Sequence, residues 1–235
     1  LRNGNITGET IYVIAGFVAY VMICSPASMR INAEMLRGLV ELEAGILDSR
    51  GDLPPPPPEL GGASLSDLLQ AGDVEIKVDL KFPQAIGISG ILQRIAAVGN
   101  FSWEILINEN TDCPFITSDY PVGSEETSDP RILNRVIPLA PNLAIRIHPN
   151  IEIDKKKFDF SFRHFRFRRT NISRYEAVQL NGLIVRCAET TIYFRNDPER
   201  IRKFIEKNRC YRMDTRNTHI PTEGGAFQIS QHKIV

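Results

Sequence analysis

The sequence predicts an α+β fold: an N-terminal helical region packed on a mostly antiparallel sheet, with closing C-terminal helices. Three observations carry this reading. Apolar residues recur at three- and four-residue steps through most of residues 7–98, the spacing changes to a two-residue alternation between Phe101 and Phe167, and helical spacing returns after Ser173. Helices followed by strands, without strict βαβ alternation, segregate into an α+β arrangement. The 235 residues, 43% of them hydrophobic, suffice for one sizeable core. The expected organisation is a helical region at 1–100 with a proline-rich loop at 54–58, an antiparallel sheet and closing helices of the same domain at 101–212, and a polar tail at 213–235 that is loosely held or ordered only by contacts.

In the helical region, Thr7 precedes Glu9 and the apolar run Ile11–Cys24, as an N-cap with an acidic first turn would. That run is shorter than the roughly twenty residues a bilayer crossing needs. Arg2 alone precedes it as a positive charge, so it does not read as a signal peptide either. Being apolar all round, it reads as the buried centre of a globular protein, with no membrane partner. Ser25-Pro26 should break it, since proline removes an amide donor and restricts the residue before it. Met29, Met35, Leu36, Leu39, Val40, Leu42, Ile46 and Leu47 then mark a second helix. Pro54–Pro58 favour polyproline II, as a spacer or as a ligand for a proline-reading surface, although basic flanks are lacking. Ser64 to Gln70 restarts a short helix, and Val74 to Leu80 alternates like a strand or extended connector. A helix over 83–98, interrupted by Gly87 and Gly90, should stop at Gly99-Asn100.

Phe101–Val122 reads as two apolar strands joined by the polar turn Glu109–Asp112. Pro121 cannot donate to a ladder, which places Thr117, Ser118 and Asp119 at a strand end. There they either close the hairpin as an Asx or Ser/Thr turn, the commoner case, or present Asp119 as a functional carboxylate on a rigid strand. Val136–Leu139 and Leu143–His148 are natural strand partners for this hairpin. In the stretch 154–169, Lys155, Lys156, Lys157, Arg163, Arg166, Arg168 and Arg169 face only Asp154 and Asp159, seven cations against two anions. Phe158, Phe160 and Phe162 alternate, and the phase slips at Arg163-His164, which suggests a bulge or a turn between short strands. Interleaved cations and rings can grip a phosphate backbone while stacking bases. An antiparallel pair with rings inward and solvated cations outward is the blander account, and it also guards an edge. Ser173 and Glu176 have capping-box spacing ahead of a helix reaching about Thr190, in which Asn181 lies near the apolar side as a structural amide. After a returning strand at 191–194, Asp197-Pro198 should cap a helix over 199–209 that carries Arg200, Arg202, Lys203, Lys207 and Arg209.

Formal net charge is zero and the pI is near 7.1, so any nucleic-acid contact must use a local patch. Cys24, Cys113, Cys187 and Cys210 form no C-x-x-C pair, which favours free thiols and a reducing, cytoplasmic compartment. Four histidines at scattered spacing support neither a metal nor a cofactor site.

The segments FITSDYPV at 115–122, IPLAPNLAI at 137–145 and LNGLIVRCAETTIY at 180–193 together resemble the bacterial family called domain of unknown function 4238, from the first long helix to about Arg195. By that resemblance Thr117, Ser118, Asp119, Pro121 and Asn181 match recurrent family positions, with no catalytic role attached. The family's usual His-Tyr-x-Pro opening is not present, and Ser25-Pro26 replaces its Arg-x-Pro. A fragment, a cleaved product or a divergent member is therefore expected. The leading functional expectation is a nucleic-acid-interacting protein in a defence or toxin setting, binding through Lys155, Lys156, Lys157, Arg163, Arg166 and Arg168 and the 200–209 helix. The rivals are a nuclease-like hydrolase using Asp119, Ser118 and Glu104, and a non-catalytic scaffold or assembly protein that uses the polyproline loop, with a homo-oligomer as a further possibility.

Overall fold

Side-chain caps fix where this chain turns helical. The computed structural model describes residues 1, 4–129, 131–152, 154, 158–195, 198–222 and 225–235. Thr7 accepts from the Thr10 amide at 3.2 Å and opens α1 (Gly8–Cys24). Ser25 is extended, and Pro26 starts α2 (Pro26–Arg50). Capping boxes at Ser64–Asp67 and Ser173–Glu176 head α3 (Leu65–Ala71) and α6 (Arg174–Cys187). Gly90 divides the helix expected at 83–98 into α4 (Lys81–Ser89) and α5 (Ile91–Asn100). Residues 74–80 form no strand. Asp79 instead accepts from the Lys81 amide at 2.8 Å and leads the chain into α4. The helix expected to be buried all round is buried on one face only: Ile11, Ala15, Val18 and Ile23 are covered, while Val13, Phe17 and Tyr20 are exposed.

The chain clusters into two compact units, one of residues 1–29, 84–213 and 234–235 and the other of residues 30–83 and 214–233. The first unit holds a sheet whose described strands run in the order β3 (Gly123–Glu126), β4 (Leu133–Ala140), β5 (Leu143–His148), β1 (Ser102–Ile107) and β6 (Arg166–Asn171). Pairings are antiparallel except β1–β6, which is parallel. Every inner residue of β1 is buried, so both faces must be covered. On one face Trp103 donates its indole N–H to the Val98 carbonyl at the end of α5, at 3.0 Å. On the other, Leu106, Val136 and Ala144 pack against Ala177 and Leu180 of α6.

The hairpin expected over 101–122 does not form. Asn108, itself buried, donates to the Cys113 carbonyl at 2.8 Å and accepts from the Asn110 amide at 3.1 Å, which wraps the chain around its side chain. Phe115 then bonds Pro141, and β2 (Thr117–Ser118) pairs with β7 (Ile192–Tyr193) instead of β1. The phenylalanine stretch is also one strand, not two. Phe162 takes a positive φ of 50°, closes a turn with Phe165, and packs where a Cβ on Gly99 would collide with its ring. Only β6 follows. Its Phe167 is 40% exposed, so the rings do not all turn inward. The first unit closes with α7 (Pro198–Asn208), and Asp197, its expected cap, lies outside the described residues.

In the second unit the polar tail, expected to be loosely held or ordered only by contacts, forms the hairpin β8 (Met213–Thr222) and β9 (Gly225–Ile234). It meets α2 through polar groups: Thr215 Oγ1, Asn217 Nδ2 and Gln228 Nε2 donate to the carbonyls of Ile31, Glu34 and Met35 at 3.0, 3.1 and 3.0 Å. A Cβ on Gly38 would strike Asn217, so glycine is what permits this approach. Hydrophobic periodicity could not announce such packing. Among the described residues no single helix is long and apolar enough to cross a membrane, and the one helix pair that meets the test by length and composition, α1 with α2, is broken at Ser25.

Candidate functional site

A carboxylate in the middle of the apolar strand SWEILI sets the chemistry of the sheet's polar end. Strand alternation puts Glu104 on the α6-facing side, opposite Arg146 on β5 and Arg168 on β6. Glu104 is only 3% exposed, and a buried charge persists only if paired. Arg146 Nη1 reaches it at 2.7 Å, Arg168 Nη2 at 2.8 Å and the Thr170 hydroxyl at 2.7 Å. Arg146 also holds Glu125 through Nε at 2.9 Å, and Asn134 donates to Glu125 at 3.0 Å. His148 completes the ring, with Nδ1 3.1 Å from Asn134 Oδ1 and Nε2 3.6 Å from Glu104.

Burial alone would push the Glu104 carboxyl up. Hydrogen bonds from Arg146 and Thr170 and the charges of Arg146 and Arg168 outweigh it and hold the group below the usual carboxylate range. For His148 burial prevails over the pull of Glu104 and lowers the imidazole's pKa, which favours the neutral ring at pH 7. At this end of the sheet Ser102, Trp103, His148, Arg166, Phe167 and Arg168 line an open cavity of about 370 Å³.

Of the residues expected to bind nucleic acid, Arg166 and Arg168 share this cavity. Arg168 is 71% exposed at its side chain and is steadied from below by Glu104. Arg166 donates to the Arg163 and Phe165 carbonyls at 3.1 and 2.8 Å, which ties it to the preceding turn. Arg163 lies in that turn, 3.6 Å from Asp159 and 3.3 Å from the Ser161 hydroxyl. Lys155, Lys156 and Lys157 lie outside the described residues. Arg169, on the opposite side of β6, stands 5.1 Å over the Phe167 ring, and Phe165 stacks on Phe167 at 5.9 Å.

The expected catalytic residues fall in two separate places. Glu104 belongs to the network above, whereas Ser118 and Asp119 follow the β2–β7 pair. Ser118 accepts from the Tyr120 amide at 3.2 Å in a Ser/Thr turn, which here follows the β2–β7 pair and closes no hairpin with β1. Asp119 accepts four hydrogen bonds: from the amides of Glu189, Thr190 and Thr191 at 3.0, 2.8 and 3.1 Å, and from the Thr190 hydroxyl at 2.7 Å. Burial raises its pKa, but these donors together lower it further than burial lifts it. This is the geometry of a carboxylate that anchors the exit from α6, and it shares no bonding partner with Glu104. Asn181 likewise accepts from the Ile116 amide and donates to the Pro114 carbonyl, as a structural amide does. No group of histidine, cysteine, aspartate or glutamate suited to a metal occurs among the described residues.

Sequence reasoning passed over Arg146, His148, Glu125, Asn134 and Thr170. One signal was present: Glu104 and Arg146 each interrupt an otherwise apolar strand, with opposite charge. Residues 3–198 match the model of a family described as "Protein of unknown function (DUF4238)". No curated protein and no solved structure matches the chain.

Proposed function

Because this chain belongs to the family of domain of unknown function 4238, which supplies no activity to carry over, we propose its role from the polar end of the sheet: it interacts with nucleic acid there, through the phosphate backbone. The observation that carries this reading is that Arg166, Arg168 and the half-exposed Phe167 line one open cavity on an edge strand. Guanidinium groups match phosphate oxygens bidentately, and Phe167, with Phe165 stacked on it and Arg169 over its ring, adds an apolar wall beside them. Three guanidiniums, those of Arg146, Arg166 and Arg168, stand there against the carboxylates of Glu104 and Glu125, so the cluster keeps a positive balance. Glu104 holds Arg168 by one nitrogen and reduces the side-chain entropy lost on binding. Buried thiols at Cys113 and Cys187 accord with a reducing, cytoplasmic setting.

The test is binding of labelled single- and double-stranded nucleic acid at low and moderate salt. Affinity should fall steeply with salt, replacing Arg163, Arg166 and Arg168 together by alanine should abolish it, and single replacements should reduce the salt slope by about one unit per lost phosphate contact. Arg163, held in its turn, should matter least of the three. Failure of the folded protein to bind at low salt overturns the reading. The defence or toxin setting is checked by expression: growth arrest that the triple variant relieves supports it.

A further inference from the structure

A second surface of the first unit, away from the arginine strand in sequence and in sheet, has a different character. Phe115, Pro138, Pro141, Tyr193, Phe194 and Arg195 line a groove of about 430 Å³ beside the β2–β7 pair and the β4–β5 turn. The Phe115 amide bonds the Pro141 carbonyl at 2.7 Å, and Thr117 pairs with Tyr193, so its walls are held by backbone. Tyr193 is 55% exposed, a large ring left on a two-residue strand. Aromatic and proline walls with an exposed tyrosine are what a polyproline II segment docks against, rings packing on rings.

The same chain carries such a segment. Pro54, Pro55, Pro57 and Pro58 are exposed, and Pro57 has φ −57° and ψ 141°, polyproline II values. The run leads into a single 3-10 turn, Pro58–Leu60, where the Pro57 and Pro58 carbonyls accept from the Leu60 and Gly61 amides at 3.0 and 3.1 Å; the fixed φ of its prolines limits the entropy lost on docking. It is flanked by exposed Asp52 and Glu59, with Leu60 beyond, whereas the groove carries exposed Arg195. Proline-reading grooves that use acidic rims take basic flanks. Here both signs are reversed, and the groove and the run remain complementary in charge.

We infer that the groove of one copy receives the Pro54–Pro58 run of a second copy, making a head-to-tail contact between unlike surfaces. Two such contacts close a pair if they are mutual and extend a chain of copies if they are not.

The experiment measures the mass of the full chain by sedimentation over roughly a hundredfold range of concentration, since association obeys mass action. Alongside it, a labelled peptide of residues 52–60 is titrated onto the same protein. Mass should rise with concentration, and Tyr193→Ala should weaken peptide binding about tenfold, the loss typical of an anchoring ring. Pro55→Ala with Pro56→Ala should also keep the chain monomeric. Mixing that variant with Tyr193→Ala should restore a one-to-one complex, because each retains one intact half. Arg195→Glu, outside the strands, guards against a Tyr193 variant that fails to fold. It should lose the native peptide and gain one carrying Asp52→Lys and Glu59→Lys. A chain that stays monomeric throughout, or a peptide that binds while the whole chain never associates, overturns the second copy as occupant.

Discussion

Glu104 and Asp119 are both carboxylates on strand-borne segments, both held below their usual pKa against the cost of burial, yet their surroundings differ in kind. Glu104 is neutralised by guanidiniums, one of them reaching solvent at Arg168, so part of its charge balance sits where a ligand can compete for it. Asp119 is satisfied by three backbone amides and a hydroxyl, all within residues 189–191, and none of these donors is charged. A depressed pKa therefore does not by itself distinguish a working carboxylate from an anchoring one. The identity of the donors does, because amides fix a loop and an exposed arginine can exchange partners.

The largest effect that would sharpen this contrast is expected from Glu104→Ala, which leaves Arg146 with Glu125 alone in a buried place. Chemical denaturation should show a loss of about 3 kcal/mol, and a loss below about 1 kcal/mol would break the picture of a buried pair. Asp119→Asn turns an acceptor into a donor facing the amides that Asp119 binds. We expect about 2 kcal/mol of destabilisation with unchanged nucleic-acid binding by the folded protein. Full stability together with a lost turnover would instead identify Asp119 as catalytic.

Stability should also respond to acid. Both carboxyls have folded pKa values below their unfolded ones, so their contribution is fully present above the usual carboxylate range near pH 4 and is lost as pH falls through the folded values. Urea midpoints should decline below about pH 4, and Asp119→Asn should flatten that decline. The smallest stability change is expected from Arg168→Ala, at most about 1 kcal/mol, because that side chain is largely solvated. Its effect should appear in binding instead.

Much of the local structure was legible because it is decided locally. The Thr7 cap, the break at Ser25-Pro26 and the Ser173–Glu176 box depend on groups within four residues of one another, and all three stand where the sequence places them. The α+β class follows from the change of hydrophobic period, which a chain cannot hide. The resemblance carried by residues 115–122, 137–145 and 180–193 also holds, since the family match spans 3–198.

What failed was pairing. Asn108 diverts the chain away from β1, so a plausible hairpin became two strands in different sheets. The polar face of the 213–235 hairpin, joined to α2 by Asn217 and Gln228, had no apolar period to read. The site shows the same division. Sequence supplied Arg166, Arg168 and Glu104 as residue types in strands, but Arg146, His148 and Thr170 join them only through register, across strands up to 66 residues apart. Periodicity and capping are short-range and are written in consecutive residues. Strand order, and with it which arginine meets a buried carboxylate, is settled by the long-range packing that covers both faces of β1.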